Sequence, residues 1–423
     1  MTRIKVYGGQ KLNGTIPISG AKNSVLPLAV ASILSPEGLK LNNVPPLVDV
    51  NTMLDLLESL GAEYDRKSES PYADVVELRT RSVKNPKASY EIVKKMRASI
   101  LVLGPLLARF GECEVSLPGG CAIGVRPVDL HLKGLEALGA KIELRDGYIR
   151  AVAPKGLKGT EFRFATPTVT GTENIMMAAA LADGVTVLRN VAREPEIVDL
   201  ANGLNKMGAK ISGQGTDVIV AEGVTSLRAA EHRVLPDRIE AGTYAAAAGI
   251  TGGRVDLAGE NLPELLSSFR EKMEEAGLKF TPFKDGLRVE GSGEIAPLKV
   301  DTAPYPGFPT DLQAQTMALL CYAKGRSVIT ENIWENRFMH AAELMRMGAD
   351  IAVSGARACI NGGKQLRGAS VMATDLRASV SLVLAALAAE GDTLVDRVYH
   401  LDRGYCRLEE KLAACGVTVE RVK

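Results

Sequence analysis

Apolar residues along this chain fall into two alternating rhythms, the 3.6-residue spacing of an amphipathic helix and the two-residue spacing of a half-buried strand. The pattern comes in six copies. In each copy an amphipathic helix closes on a glycine: Leu60-Gly61-Ala62, Leu138-Gly139-Ala140, Met207-Gly208-Ala209, Ala276-Gly277-Leu278, Met347-Gly348-Ala349 and Cys415-Gly416-Val417. Successive glycines lie 78, 69, 69, 71 and 68 residues apart. Each suits a left-handed helix cap, and a short alternating strand such as Lys141-Ile142-Glu143-Leu144 follows. Upstream of each, an alanine-rich helix ends at a glycine and enters another strand, as at Gly184-Val185-Thr186-Val187 and Gly325-Arg326-Ser327-Val328. Helix, strand, helix, strand in six copies predicts an α/β protein of repeated units.

Polar residues open the alanine-rich helix of each copy. They are Lys22-Asn23, Arg97-Ala98-Ser99, Thr172-Glu173-Asn174, Asp237-Arg238-Ile239-Glu240, Asp311-Leu312-Gln313 and Asp375-Leu376-Arg377. Some of these are ordinary N-cap residues. Lys22, Arg97 and Arg377 are not, because a cation at the positive end of a helix is unfavourable by some tenths of a kcal/mol. Their placement predicts an anionic ligand. Trp334-Glu335-Asn336-Arg337 and Asp402-Arg403-Gly404-Tyr405 are expected to begin further helices after strands. Asp311 reads as a general base or as a helix cap, and Arg337 and Arg403 as anion ligands or as solvated surface.

From the glycine before the second strand to the capping glycine, five copies need 23 to 25 residues, whereas the second, 111 to 139, needs 28. The surplus falls on Leu117-Pro118-Gly119-Gly120-Cys121-Ala122-Ile123-Gly124-Val125-Arg126. Glycines on both sides free the backbone around one thiol, and Arg126 would favour its thiolate. A thiol on a glycine-rich loop beside an arginine suits a lid over an anionic substrate.

Composition narrows the choice. A chain of 423 residues exceeds one ordinary core, so two domains are expected. Fifty-one lysines and arginines against 50 aspartates and glutamates exclude a nucleic-acid surface. No apolar run spans a bilayer and the N-terminus has no signal core, so a cytoplasmic protein is expected. Six cysteines without a CxxC pair predict free thiols, and four scattered histidines predict no metal.

With Ile18–Asn23, Met96–Ser99, Leu117–His131, Arg193–Asp199, Ser212–Asp217, Leu235–Glu240, Phe308–Asp311, Glu335–His340 and Ala373–Arg377, the whole chain resembles the UDP-N-acetylglucosamine 1-carboxyvinyltransferases of the EPSP synthase superfamily. The resemblance implies a two-domain inside-out α/β barrel of six βαβαββ units, with residues 22–235 as one domain and 1–21 with 236–423 as the other. It implies enolpyruvyl transfer from phosphoenolpyruvate to the 3-hydroxyl of UDP-N-acetylglucosamine, the first committed step of peptidoglycan synthesis, by a monomer without cofactor or metal. Cys121 is then the proton donor, open to fosfomycin-type alkylation, and Asp311 the base. Lys22, Arg126 and Arg403 match phosphoenolpyruvate contacts, with Arg97, Arg337, Asp375 and Arg377 nearby. Asn23 and Asp311 match sugar contacts. Arg126, Pro127, Val128, Asp129 and Leu130 match a uridine-binding stretch, near which Thr168, Val169 and Ile333 also fall. The rival readings are a 3-phosphoshikimate 1-carboxyvinyltransferase, which lacks the loop cysteine, and a silent UDP-sugar-binding regulator.

Overall fold

All six predicted copies fold into a four-stranded sheet, and all six sheets have the same strand pattern. The structure, a computed structural model, describes residues 2–118, 124 and 127–422. The fifth copy shows the plan undisturbed. Strand Lys299–Asp301 leads into helix Gln313–Leu320, strand Arg326–Thr330, helix Met339–Arg346 and the hairpin Asp350–Ser354 with Arg357–Asn361. The first two strands pair in parallel and the hairpin adds antiparallel. This is one βαβαββ unit.

The six glycines expected to cap helices all sit in the left-handed region, with φ from +83° at Gly416 to +103° at Gly61. In the fourth copy the left-handed residue at the end of the alanine-rich helix is Gly252, one position before the glycine that begins the strand segment.

The described residues divide into two compact units, one made of 2–19, Gly124 and 236–422, the other of 20–118 and 127–235. In the first, helices Arg238–Thr251, Gln313–Leu320 and Ala378–Ala388 pack on one another, and each lies on its own sheet. All of Arg238–Thr251 is buried, so the sheets lie outside and the helices inside. Glycine makes that packing close: a Cβ on Gly242 would come within 2.6 Å of Leu312, and one on Gly249 within 2.7 Å of Leu319. In the second unit, helices Lys22–Ala31, Leu103–Phe110 and Val169–Ala179 take the same place over their sheets.

Three strands come from elsewhere in the chain. Asn13–Pro17 precedes helix Lys22–Ala31 but pairs with Arg254–Ala258 in the first unit, and Ala230–Arg233 precedes helix Arg238–Thr251 but pairs with Leu39–Val44 in the second. Arg3–Tyr7 completes the sheet of the sixth copy. Buried charge anchors both chain crossings. In the first unit the wholly buried Lys411 donates to Glu240 at 2.7 Å and to Ser19 at 2.8 Å, while the Ser19 amide donates to Glu240 at 2.7 Å. In the second, Asp199 accepts from the Leu235 amide at 3.3 Å and from Ser24, and lies 2.8 Å from His232. Among the described residues no helix is long and apolar enough to cross a membrane.

Candidate active site

The first unit gathers its functional candidates around Asp311. A turn closed by Ala303 N–H to the Phe308 carbonyl returns the chain beside its own strand, and Thr310–Leu312 form one 3-10 turn before helix Gln313–Leu320. Asp311 therefore sits at a helix entrance without capping it. Arg337 donates to its Oδ1 at 2.7 Å, and Arg377 Nε donates to Oδ2 at 3.4 Å. Both arginine side chains are buried, at 7 % and 4 % exposure, whereas the Asp311 side chain keeps 27 %. Two fixed cations thus orient a carboxylate that still faces outward. A hydroxyl reaching the exposed part of that side chain would meet an acceptor held in place beforehand.

Arg377 has further partners. Asp237 lies 3.8 Å away and the Tyr405 ring 5.5 Å from Cζ. Burial works against its charge, but Asp237, Tyr405 and Asp311 outweigh this and hold the guanidinium above its ordinary pKa. Asp375 caps the following helix, accepting from the amides of Arg377 at 2.8 Å and Ala378 at 2.9 Å. His340, at the start of helix Met339–Arg346, is wholly buried, and burial pushes its pKa down to about 4 despite Asp375. Arg403 ends the 3-10 turn Val398–Arg403, and its charge adds to the burial that holds His400 below its ordinary pKa.

In the second unit Lys22 and Asn23 open helix Lys22–Ala31, and the Lys22 ammonium lies 3.1 Å from buried Asp49. Arg97 begins a 3-10 turn, Arg97–Val102, that runs into helix Leu103–Phe110. Pro127 and Val128 precede helix Asp129–Ala137, in which Asp129 and Leu130 are the first residues. Thr168 caps helix Val169–Ala179 by accepting from Gly171 N–H at 3.3 Å. These last two helix entrances adjoin: His131 touches Thr170 at 3.2 Å and Asn174 at 2.9 Å. Cys121 and Arg126 lie outside the described residues.

Several expectations need correction. Thr172-Glu173-Asn174 lie a turn inside their helix, because Thr168 rather than Thr172 provides the cap. Trp334–Arg337 and Asp402–Tyr405 are connecting segments, and the helices begin later, at Met339 and Leu408. Nor do Lys22 and Arg377 at helix entrances require an external anion to offset their charge. Protein carboxylates already stand beside them, Asp49 for Lys22 and Asp237 with Asp311 for Arg377. Sequence reasoning gave no role to Asp49 or Glu331. Neither sits in a motif, and their side-chain partners, Lys22 for Asp49 and Thr302 with Thr310 for Glu331, are distant in the chain.

Buried thiols elsewhere are poor nucleophiles. Burial pushes Cys113 and Cys321 up to about 12, and Cys406 and Cys415 up to about 11. Among the described residues no group of His, Cys, Asp and Glu is arranged to hold a metal ion.

The family model for EPSP synthase (3-phosphoshikimate 1-carboxyvinyltransferase) matches residues 6–412. Proteins named UDP-N-acetylglucosamine 1-carboxyvinyltransferase from Dinoroseobacter shibae, Allorhizobium ampelinum and Trichlorobacter lovleyi are 59%, 56% and 53% identical, with 99% or more of both chains covered in each case. Among solved structures, the enolpyruvyl transferase NikO from Streptomyces tendae superposes over 100% of this chain and 99% of its own, with a TM-score of 0.90 at 22% identity. EPSP synthase from Acinetobacter baumannii does so over the full length of both, with a TM-score of 0.77 at 16% identity. Those two likenesses establish the fold, and the relatives above 50% identity place the sequence. The chain belongs to the EPSP synthase family and, within it, to the UDP-N-acetylglucosamine 1-carboxyvinyltransferases.

Proposed function

We propose that this enzyme transfers the 1-carboxyvinyl group of phosphoenolpyruvate to the 3-hydroxyl of UDP-N-acetylglucosamine and releases phosphate. The observation that carries the reading is Asp311, oriented by Arg337 and Arg377 with its side chain 27 % exposed, in a chain more than half identical to relatives of that name. Asp311 takes the proton of the sugar 3-hydroxyl as its oxygen attacks C2 of the enol. Cys121 gives a proton to C3, which yields a tetrahedral ketal. Loss of a C3 proton and of phosphate then restores the double bond. Protonation of C3 develops positive character at C2, and the departing phosphate carries off the electron pair of its C–O bond; cations steady these shifts of charge. Lys22, Arg126 and Arg403 take that part, with Arg97, Arg337, Asp375 and Arg377 close by, and Asn23 contacts the sugar. The uridine lies along Arg126–Leu130, near Thr168, Val169 and Ile333.

In this reading residues 22–235 and the remainder are the two domains, and their closure joins Cys121 to Asp311. A monomer in the cytoplasm suffices, opening peptidoglycan synthesis. The test is phosphate release by the purified chain given phosphoenolpyruvate and each acceptor separately. Release with UDP-N-acetylglucosamine is expected. Release only with shikimate 3-phosphate would assign the other activity of the family. Tight binding of the sugar nucleotide without release would make the chain a regulator.

A further inference from the structure

Glu331 directly follows strand Arg326–Thr330 and is 2 % exposed. Among the described residues none of its partners is a cation. Its Oε1 accepts from the Thr302 hydroxyl at 2.9 Å, the Ile333 amide at 2.9 Å and the Trp334 amide at 3.3 Å. Its Oε2 accepts from the Thr310 hydroxyl at 2.9 Å. Burying a carboxylate against four neutral donors is costly, and a neutral acceptor would satisfy most of them more cheaply. A carboxylate differs from a neutral amide in one respect that matters here: both of its oxygens accept, and neither donates.

That property sets the direction of a relay. Thr310 has one hydroxyl hydrogen and stands between Glu331 and Arg337, whose Nη1 is 2.9 Å from the same oxygen. Arg337 only donates, so the hydroxyl hydrogen must go to Glu331 and its oxygen must accept from Arg337. The other nitrogen of that guanidinium, Nη2, holds Asp311 at 2.7 Å. Thr302 obeys the same rule, accepting from the Asn332 amide at 2.9 Å while giving its hydrogen to Glu331.

We propose that Glu331 is a positioning residue for turnover: by accepting from Thr310 it makes that hydroxyl an acceptor for Arg337, and so aims the guanidinium that orients Asp311. The role of Asp311 as base rests on the enolpyruvyl-transfer reading above.

The test is Glu331→Gln. Three donors crowd Oε1, so the glutamine carbonyl stays there and its NH2 faces Thr310. The Thr310 oxygen then accepts from the amide, and its hydrogen, deprived of the carboxylate, must swing to a new acceptor, which turns the remaining lone pair away from Arg337. The expected result is a fall in kcat of about tenfold with an unchanged KM for phosphoenolpyruvate, the signature of misaimed chemistry rather than lost binding. Thr310→Val should lose as much. The double variant should be no worse than Thr310→Val alone, because without the hydroxyl Glu331 has nothing left to orient. Thr310→Ser, which keeps the hydroxyl, should recover the turnover that Thr310→Val loses, and this pair still reads the relay if Glu331→Gln fails to fold. Crystal structures of Glu331→Gln and the unaltered chain add a readout that needs no activity: Arg337 should leave Thr310. Unchanged kcat, additive losses in the double variant, or Arg337 still bonded to Thr310 in Glu331→Gln would each overturn the proposal. An unaltered chain that releases no phosphate would overturn the enolpyruvyl reading instead, and the two crystal structures would still decide the relay.

Discussion

The first and fifth repeats have the same sheet but spend the residues after its second strand differently. In the first, strand Leu39–Val44 is followed after only three residues by the 12-residue helix Val48–Ser59. In the fifth, eight residues separate strand Arg326–Thr330 from helix Met339–Arg346, which is itself only eight residues long. Those eight connecting residues contain Glu331, Ile333 and Arg337. The sixth repeat behaves like the fifth, since residues 397–407 carry Arg403 and the helix Leu408–Ala413 has six residues. In the second repeat, residues 117–128 hold Cys121 and Arg126. In the reading proposed above, Ile333, Arg337 and Arg403 therefore sit where the fifth and sixth repeats exchange helix for connection, on a scaffold that the first keeps short.

Substitutions in the two kinds of connection should consequently differ in what they break. The largest effects belong to the proposed proton carriers. Cys121→Ser and Asp311→Asn should each lower phosphate release by about a hundredfold or more while the chain stays folded. Near-normal turnover in either would remove that residue from the chemistry. Next comes Lys411→Met, at a chain crossing rather than in the site. Leaving Glu240 buried without its partner should cost about 3–5 kcal/mol in denaturant unfolding. A smaller loss would mean that Ser19 alone can satisfy Glu240.

His340 offers a test by pH. Its native pKa of about 4 lies below the ordinary 6.5, owing first to burial and then to Arg337, with Asp375 opposing. Between these values the unfolded chain binds a proton that the native imidazole refuses. Stability should therefore fall as pH drops from about 6.5 to about 4, by about 3 kcal/mol through this residue. His340→Leu should flatten that part of the unfolding curve, and an unaltered slope would contradict the assignment. Arg403→Ala should weaken phosphoenolpyruvate by about 1–3 kcal/mol in calorimetry, with little change for the sugar nucleotide. The smallest effect is expected in a short connection. Asn261, with φ of +56°, becomes glycine without strain, and Asn261→Gly should leave turnover unchanged.

Much of this architecture could be read from the sequence, because its signals are local. Helix-capping glycines recur at nearly constant spacing, and each adopts the conformation that only glycine takes without cost. The connections were legible only in part. Counting from glycine to glycine exposed the enlarged second repeat but hid those of the fifth and sixth, where a shorter helix compensates for a longer loop. Strand exchange was invisible for another reason: Asn13–Pro17, Ala230–Arg233 and Arg3–Tyr7 find partners far away in the chain. Motifs likewise marked Asp311 and Arg377 but not Glu331 or Asp49, whose importance comes from what tertiary folding brings beside them.

The most direct test of the account is a crystal structure of the chain with UDP-N-acetylglucosamine and a non-reacting analogue of phosphoenolpyruvate. The account predicts the Asp311 carboxylate within hydrogen-bond distance of the sugar 3-hydroxyl, and the Cys121 sulfur beside the carbon that corresponds to C3 of the enol. A bound complex with either group turned away from those atoms would contradict it.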